Sequence, residues 1–208
     1  MPIVDRHSAA FYDGGPESLY VPALTRTPLW LEGFSGDTKE LIKAMQSIGL
    51  VKGQRIAILH AIFGWVGEEF IAQGYGPVAN GTTAGRVVCV DTSSWVHANK
   101  AANATLNIVN EDVTTNAGRR AIKSQLGSNT QTIDWAICYE VVADLTDTEV
   151  ATYRTATRAL ATKVVHWVTP LLQGPPHQDA RLNLKTLSAW KTMMTPDYVV
   201  ERGTATVL

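Results

Sequence analysis

The sequence predicts an α/β protein in which buried strands alternate with amphipathic helices. Short apolar runs rich in valine and isoleucine recur along the chain, as is typical of parallel strands buried on both faces. The segments between these runs carry apolar residues at helical spacing. The chain has 208 residues, of which 45% are hydrophobic and 18% charged, and this suits a single globular domain.

The first 36 residues are predicted to form an irregular arm, and residues 37–208 are predicted to form the α/β domain. Glycine and proline are frequent in the arm, which disfavours long regular elements. Its aromatic residues argue against disorder. We therefore expect the arm to pack over the domain or to bind a neighbouring subunit. Asp37 is predicted to begin the first helix, because acidic residues stabilise a first turn.

Seven strands are predicted from short apolar runs that are bounded by polar or turn-forming residues. In chain order they are residues 55–59, 86–91, 106–109, 133–140, 163–168, 198–202 and 205–208. A turn at Gly203 and Thr204 joins the last two runs directly, which favours an antiparallel pair. The sheet is therefore predicted to be mixed and seven-stranded, with a C-terminal antiparallel hairpin.

Helices are predicted in the longer segments between the strands, where apolar residues recur at helical spacing. After the helix that begins at Asp37 they are residues 64–73, 95–103, 115–126, 147–161 and 184–194. Such an alternation of strands and helices implies right-handed crossovers, parallel neighbouring strands and helices on both faces of the sheet.

Acidic residues follow three of the predicted strands at the point where each strand ends. Asp91 ends the second strand, and Glu140 ends the fourth. Glu111 and Asp112 follow the third. In open α/β sheets, ligands bind beyond the carboxyl ends of the strands, where such acids could accept hydrogen bonds from a ribose diol. The alternative is that Asp91 caps the next helix and that the other acids are solvated loop residues.

The order and spacing of these segments over residues 37–208 resemble the class I S-adenosylmethionine-dependent methyltransferases, which have a Rossmann-like fold. The second strand is similar to the family's strand whose terminal acid binds the ribose hydroxyls, a role that would fall to Asp91 with Thr92 beside it. Glu111 and Asp112 stand where an acidic residue of the family meets the adenine amine. The resemblance implies S-adenosylmethionine as the cofactor.

The fourth strand and the loop after it, residues 133–145, are the part most similar to the family. The resemblance implies that Tyr139 and Glu140, at the end of this strand, face the methyl acceptor. Glu140 could then accept a proton or orient the nucleophile, or it could be a hydrogen-bonded loop acid. The acceptor, a small molecule or a macromolecule, is not identified by the sequence.

The segment after the first strand departs from the family's pattern, which places an acid and several glycines there. Gly64 stands in a matching place, where glycine lets the backbone approach the cofactor. His60, Ala61 and Ile62 stand where small residues are expected, so their side chains should narrow the cofactor pocket. His60 could also act as a general base or simply pack. Trp65 could stack on a ligand or hold its helix to the core.

The composition argues against several other classes of function. The formal net charge of -1 predicts no general attraction to nucleic acids or anionic membranes. No apolar run is long enough to span a bilayer and the N-terminus lacks a signal-peptide pattern, so we expect a cytoplasmic protein. Cys89 and Cys138 lie within predicted strands and are expected to be reduced. The histidines and cysteines lack metal-ligand spacing, so no metal site is predicted.

Two functions follow from these observations, and a nucleotide-dependent enzyme of another kind that uses the same edge of the sheet is a third alternative. The first is S-adenosylmethionine-dependent methyl transfer to an unidentified acceptor. The second is a methyltransferase-fold protein without catalytic activity that serves as a structural or interaction subunit, as the loss of glycine around His60 and the aromatic arm suggest. In that case the arm would mediate homo-oligomerisation or bind another assembly partner.

Overall fold

The computed structural model describes residues 28–61, 64–77, 85–93, 108–128, 131–168, 183 and 185–202, without the side chains of residues 28–35. Within these ranges the chain forms a six-stranded sheet flanked by helices. The strands are β1 (Ile56–Leu59), β2 (Val87–Val90), β3 (Ile108–Val109), β4 (Ile133–Tyr139), β5 (Ala161–Val168) and β6 (Tyr198–Glu201). Their order across the sheet is β3-β2-β1-β4-β5-β6, and every neighbouring pair is parallel.

The described helices are α1 (Pro28–Ser47), α2 (Trp65–Ala72), α3 (Asn116–Gln125), α4 (Asp147–Leu160) and α5 (Leu187–Met194), and a 3₁₀ turn spans Val141–Asp144. None of them is long and apolar enough to cross a membrane. The predicted helix start at Asp37 is wrong, because α1 already begins at Pro28. Proline suits a first helical turn, since its φ is pre-set and that position needs no N–H donor. Residues 1–27 of the predicted arm and the predicted helix 95–103 lie outside the described residues.

The strands are buried on both faces, and consecutive side chains pack against different helices. In β1, Ile56 and Ile58 belong to a core shared with α1 and α2. Ala57 and Leu59 belong to a core shared with α3 and α4. A third, smaller cluster joins α4 and α5 to β5 and β6. The sheet therefore carries helices on both faces, as the alternating sequence pattern predicts.

The C-terminal part of the sheet differs from the prediction. β6 pairs directly with β5 in parallel, with Val165 opposite Tyr198 and Val168 opposite Glu201. α5 lies between the two strands in the chain, and a helical crossover returns the chain in the same direction, which makes the pair parallel. The prediction of a mixed seven-stranded sheet with an antiparallel hairpin is therefore wrong for the described residues, which form six parallel strands. Residues 203–208 lie outside them.

The strand order reverses next to β1, which has β2 on one side and β4 on the other. In open α/β sheets, a ligand crevice lies beyond the carboxyl ends of the strands at such a point. α4 begins near this edge with a capped first turn, in which Thr146 and Glu149 each accept a hydrogen bond from the other's backbone. The fold therefore places a loop-lined edge and a well-anchored helix start at the position where a ligand is expected.

Candidate functional site

A cleft of about 430 Å³ opens beyond the carboxyl ends of β1 to β4, on the side of the sheet that α3 and α4 cover. Its walls come from the ends of β1 and β2, the loop after β3, the 3₁₀ turn and the beginning of α4. This size is within the usual range for small-ligand pockets. The predicted residues His60, Asp91, Thr92, Glu111 and Asp112 all line the cleft, so the structure brings them together.

Asp91 follows β2 directly and is almost fully buried, with 2% of its surface exposed. Its Oδ1 accepts a hydrogen bond from the Ser93 backbone N–H at 2.9 Å, which is the bond of an Asx turn or a helix cap. Its own backbone N–H donates to the Val109 carbonyl at 3.1 Å and ties the end of β2 to β3. The carboxylate is thus held in a fixed position in the wall of the cleft.

Asp112 is held by its own loop. Its Oδ1 accepts hydrogen bonds from the backbone N–H of Thr114 at 2.8 Å and from the Thr114 hydroxyl at 2.7 Å. Asp112 is exposed to solvent and Glu111 is half-buried, and both line the cleft. The loop after β3 therefore presents two carboxylates, one of which is oriented before any ligand binds.

Gly118 anchors this loop to α3, and sequence reasoning missed it. The Gly118 backbone N–H donates to the hydroxyl of Thr115, which caps the helix, at 2.9 Å. A Cβ atom at Gly118 would lie 2.0 Å from the carbonyl oxygen of Asp112. Only glycine allows this approach of helix to loop. The signal in the sequence was a glycine in the first turn of a predicted helix, where it lowers helix propensity.

His60 follows β1 in the left-handed conformation, with φ of 60°. This is the backbone conformation that glycine adopts without cost, so the turn keeps a glycine-like path although the residue is histidine. The ring Nδ1 lies 3.2 Å from the Tyr139 carbonyl oxygen. Because a carbonyl oxygen can only accept, Nδ1 carries the proton. The half-buried imidazole forms a wall of the cleft without filling it.

The opposite wall comes from the 3₁₀ turn and α4. The buried carboxyl group of Asp144 lines it together with Thr148, Glu149, Thr152 and Tyr153. The α4 residues form two pairs at four-residue spacing, so they lie on one face of the helix. Sequence reasoning missed this face because the same spacing describes any solvated or packed helix surface. Burial raises the pKa of Tyr153 well above its ordinary value, so its hydroxyl stays neutral.

Gly64, Trp65, Tyr139 and Glu140 lie outside the lining of the cleft. Trp65 packs against the core shared by α1 and α2, and Gly64 precedes α2 with φ of 79°. Tyr139 belongs to the same core, and alternation along β4 explains this, because the preceding Cys138 faces α3 and α4. Burial raises the pKa of Tyr139, which leaves its hydroxyl neutral.

Glu140 also turns away from the cleft. It has a left-handed backbone with φ of 53°, and its Oε1 lies 3.9 Å from Nη1 of Arg202. The Arg202 Nε donates to Oδ2 of Asp37 at 3.0 Å, which links α1 to the end of β6. The structure therefore does not bring Tyr139 and Glu140, the two residues predicted to face an acceptor, into the cleft.

The described residues that line the cleft carry carboxylates but include no lysine or arginine. The carboxylates belong to Asp91, Glu111, Asp112, Asp144 and Glu149. Their potential attracts cationic groups and repels phosphates. Over the described ranges, no group of three or more His, Cys, Asp or Glu side chains could hold a metal ion, so the carboxylates are spread along the cleft.

A second charged cluster lies apart from the cleft lining and joins α4 to the start of β6. Asp197 Oδ1 accepts a hydrogen bond from Arg158 Nε at 2.9 Å, and Arg154 Nε lies 3.5 Å from Oδ2. The same Oδ2 lies 3.2 Å from Nε2 of the fully buried His166. Burial lowers the pKa of His166, which keeps the ring neutral. Burial alone would raise the pKa of Asp197, but its hydrogen bonds from His166 and Arg158 outweigh this and lower it.

None of the known protein families matches this chain, and neither does any curated protein. We therefore infer the function from the geometry of the cleft.

Proposed function

We propose that this protein binds S-adenosylmethionine in the cleft and catalyses transfer of its methyl group to an acceptor. The observation that carries the proposal is the position of Asp91, a buried carboxylate that follows β2 in a cleft beside the reversal of strand order. In sheets of this kind, an acid at the end of the second strand binds a ribose hydroxyl. Asp91 would therefore hold the ribose.

Asp112 is the proposed partner of the adenine amine. Its carboxylate is oriented by Thr114 before binding, so little ordering is required when a ligand arrives. The buried Val113 supplies apolar surface in the same wall. Glu111 and the exposed Thr92 complete the polar part of this side of the cleft.

The charge of the cleft favours S-adenosylmethionine over a dinucleotide. The strand order β3-β2-β1-β4-β5-β6 is also that of dinucleotide-binding folds. A dinucleotide brings a pyrophosphate, however, and the described lining residues offer it several carboxylates and no lysine or arginine. A sulfonium and an ammonium group are attracted by the same carboxylates.

S-adenosylmethionine, when bound, supplies an electrophilic methyl group. The protein then mainly has to hold the reactants in line and exclude water. The cleft suits this task, because about 430 Å³ remain open although His60 stands where the family pattern has a small residue. Asp144 and Tyr153 would enclose the ligand from the side of α4.

The second candidate is a non-catalytic structural or interaction protein. It is favoured by the placement of Tyr139 and Glu140 outside the cleft, because the resemblance implies that they face the acceptor. The direct parallel pairing of β5 and β6 is a further departure from the implied fold. For both candidates we propose a cytoplasmic protein, and for the second we propose that the predicted arm, residues 1–36, contacts a neighbouring subunit or another assembly partner.

The test is calorimetric titration of the purified chain with S-adenosylmethionine, S-adenosylhomocysteine and NAD⁺. We expect binding of the first two and none of the third. Asp91→Asn should weaken S-adenosylmethionine binding about 10- to 100-fold, because one or two charge-assisted hydrogen bonds are lost. The matched control is Glu40→Gln, which removes a charge on the surface of α1, where Glu40 pairs with Lys43.

The outcomes separate the candidates. Absence of heat with both adenosyl ligands in a folded wild-type protein would contradict the proposal and leave the non-catalytic function. Tighter binding of NAD⁺ would point instead to a dinucleotide enzyme. Equal weakening by Asp91→Asn and Glu40→Gln would show that Asp91 makes no direct contact with the ligand.

A further inference from the structure

His60 reaches across the central pair of strands. In the sheet order β3-β2-β1-β4, Asp91 and the loop of Glu111 and Asp112 lie on one side of β1. The His60 ring is bonded to the carbonyl of Tyr139, which ends β4 on the other side of β1. The imidazole is therefore anchored through Nδ1 to the end of β4, across β1 from the strands whose ends carry the carboxylates proposed to hold the nucleoside.

The hydrogen bond to Tyr139 also sets the chemistry of the ring. With the proton on Nδ1, the Nε2 atom of the neutral imidazole carries a lone pair and can accept a proton. Within the described part of the chain, the His60 side chain makes its hydrogen bond through Nδ1. The Nε2 atom is not fully buried. Nε2 is thus open to a ligand.

The backbone conformation of His60 has an energetic cost. A left-handed conformation costs a residue with a side chain roughly 1–2 kcal/mol, and glycine would avoid this cost. Residues held in such strained conformations cluster at active sites and ligand-binding sites.

We propose that His60 accepts the proton that the methyl acceptor loses, so the acceptor is a group that carries such a proton. The inference rests on the proposed methyl transfer. In that step the acceptor's lone pair forms the new bond to the methyl carbon, the carbon–sulfur bond breaks with its electron pair left on sulfur, and the acceptor's proton passes to Nε2.

Carbethoxylation with diethyl pyrocarbonate tests this role, because the reagent modifies a histidine nitrogen that has an accessible lone pair. The extent of modification is followed at each histidine by peptide mass spectrometry, with and without saturating S-adenosylhomocysteine. We expect His60 to be modified and the fully buried His166 to be protected in the folded chain. A base that faces the acceptor is not covered by the cofactor, so bound S-adenosylhomocysteine should change the rate at His60 by less than about twofold, whereas direct contact would slow it about tenfold or more.

A binding measurement gives an independent readout. Asn tolerates the left-handed conformation, so His60→Asn removes the imidazole while it keeps the turn. We expect this variant to bind S-adenosylmethionine within about threefold of wild type, less than the loss of one neutral hydrogen bond would cause.

Three results would overturn the inference. They are an unreactive His60 in the free protein, strong protection of His60 by S-adenosylhomocysteine, and a large loss of affinity in His60→Asn. The last two would make His60 a cofactor contact and leave the proposed function intact. If the wild-type protein binds neither adenosyl ligand, the proposed function fails, and the inference fails with it.

Discussion

Gly118→Ala should destabilise the protein, although alanine is the better helix former. The new Cβ would lie 2.0 Å from the carbonyl oxygen of Asp112, 2.7 Å from its carbon and 3.0 Å from Oγ1 of Thr115. The first contact must open by more than about 1 Å, because non-bonded heavy atoms rest well above 3 Å apart. Both atoms of Asp112 belong to the backbone, so the loop or the start of α3 has to move.

The magnitude follows from three contributions. Overpacking costs about 1–3 kcal/mol, and loss of the Thr115 cap costs about 1 kcal/mol. The gain in helix propensity returns about 1 kcal/mol. We therefore expect a net loss of about 1–3 kcal/mol in the free energy of unfolding, measured by urea titration with circular dichroism, and a lower Tm by about 2–12 °C.

Gly36→Ala is the matched control. Gly36 also lies within a helix, α1, and it is exposed, with no atom within 4 Å of an added Cβ. This variant should be more stable than wild type by about 1 kcal/mol. Gly118→Ala should also weaken S-adenosylhomocysteine binding, because the clash displaces Asp112. If both variants show the same small gain, the close approach of α3 to the loop after β3 does not exist in solution.

Three further predictions concern buried or strained groups. Burial lowers the pKa of His166 relative to the unfolded chain, so protonation favours unfolding: stability should be full above about pH 6.5 and fall as the pH drops below that value. Urea titrations over this pH range should show the fall in wild type and a flatter profile in His166→Gln. Burial raises the pKa of Cys89 to about 12 and also raises that of Cys138. Iodoacetamide should therefore label both thiols only after unfolding, and labelling of the native protein would contradict their burial. His60→Gly should be more stable than His60→Ala by about 1 kcal/mol in urea titration. Both variants lose the hydrogen bond to Tyr139, but only glycine adopts the left-handed conformation without strain. Equal stability of the two variants would mean that the turn is not strained.

The central part of the sheet could be predicted because its strands are continuous apolar runs with helices between them. β1, β2 and β4 are buried along almost their whole length, and continuous apolar runs of this kind are typical of strands buried on both faces of a parallel sheet. The partner of β6 could not be predicted in the same way. Val199 and Val200 pack on opposite faces of the sheet, and a short apolar run of this kind suits either direction. The crossover through α5 makes β6 run parallel to β5.

The acids of the cleft could be predicted because the carboxyl ends of parallel strands share one edge. The α4 face that lines the cleft could not be predicted, because the angle at which a helix approaches the sheet is set by tertiary packing. The position of Tyr139 outside the cleft was not predicted for a related reason. Alternation predicts that Cys138 and Tyr139 face opposite sides, but the sequence does not reveal which side of the sheet carries the cleft.

Within the described residues, Ile108 and Val109 of β3 form the margin of the sheet beside the loop of Glu111 and Asp112. A strand at a margin has a neighbour on one side only, so it can part from the sheet at a smaller energetic cost than a central strand. A substitution that loosens the pairing of β3 with β2 should therefore change how quickly a ligand comes and goes more than how firmly it is retained.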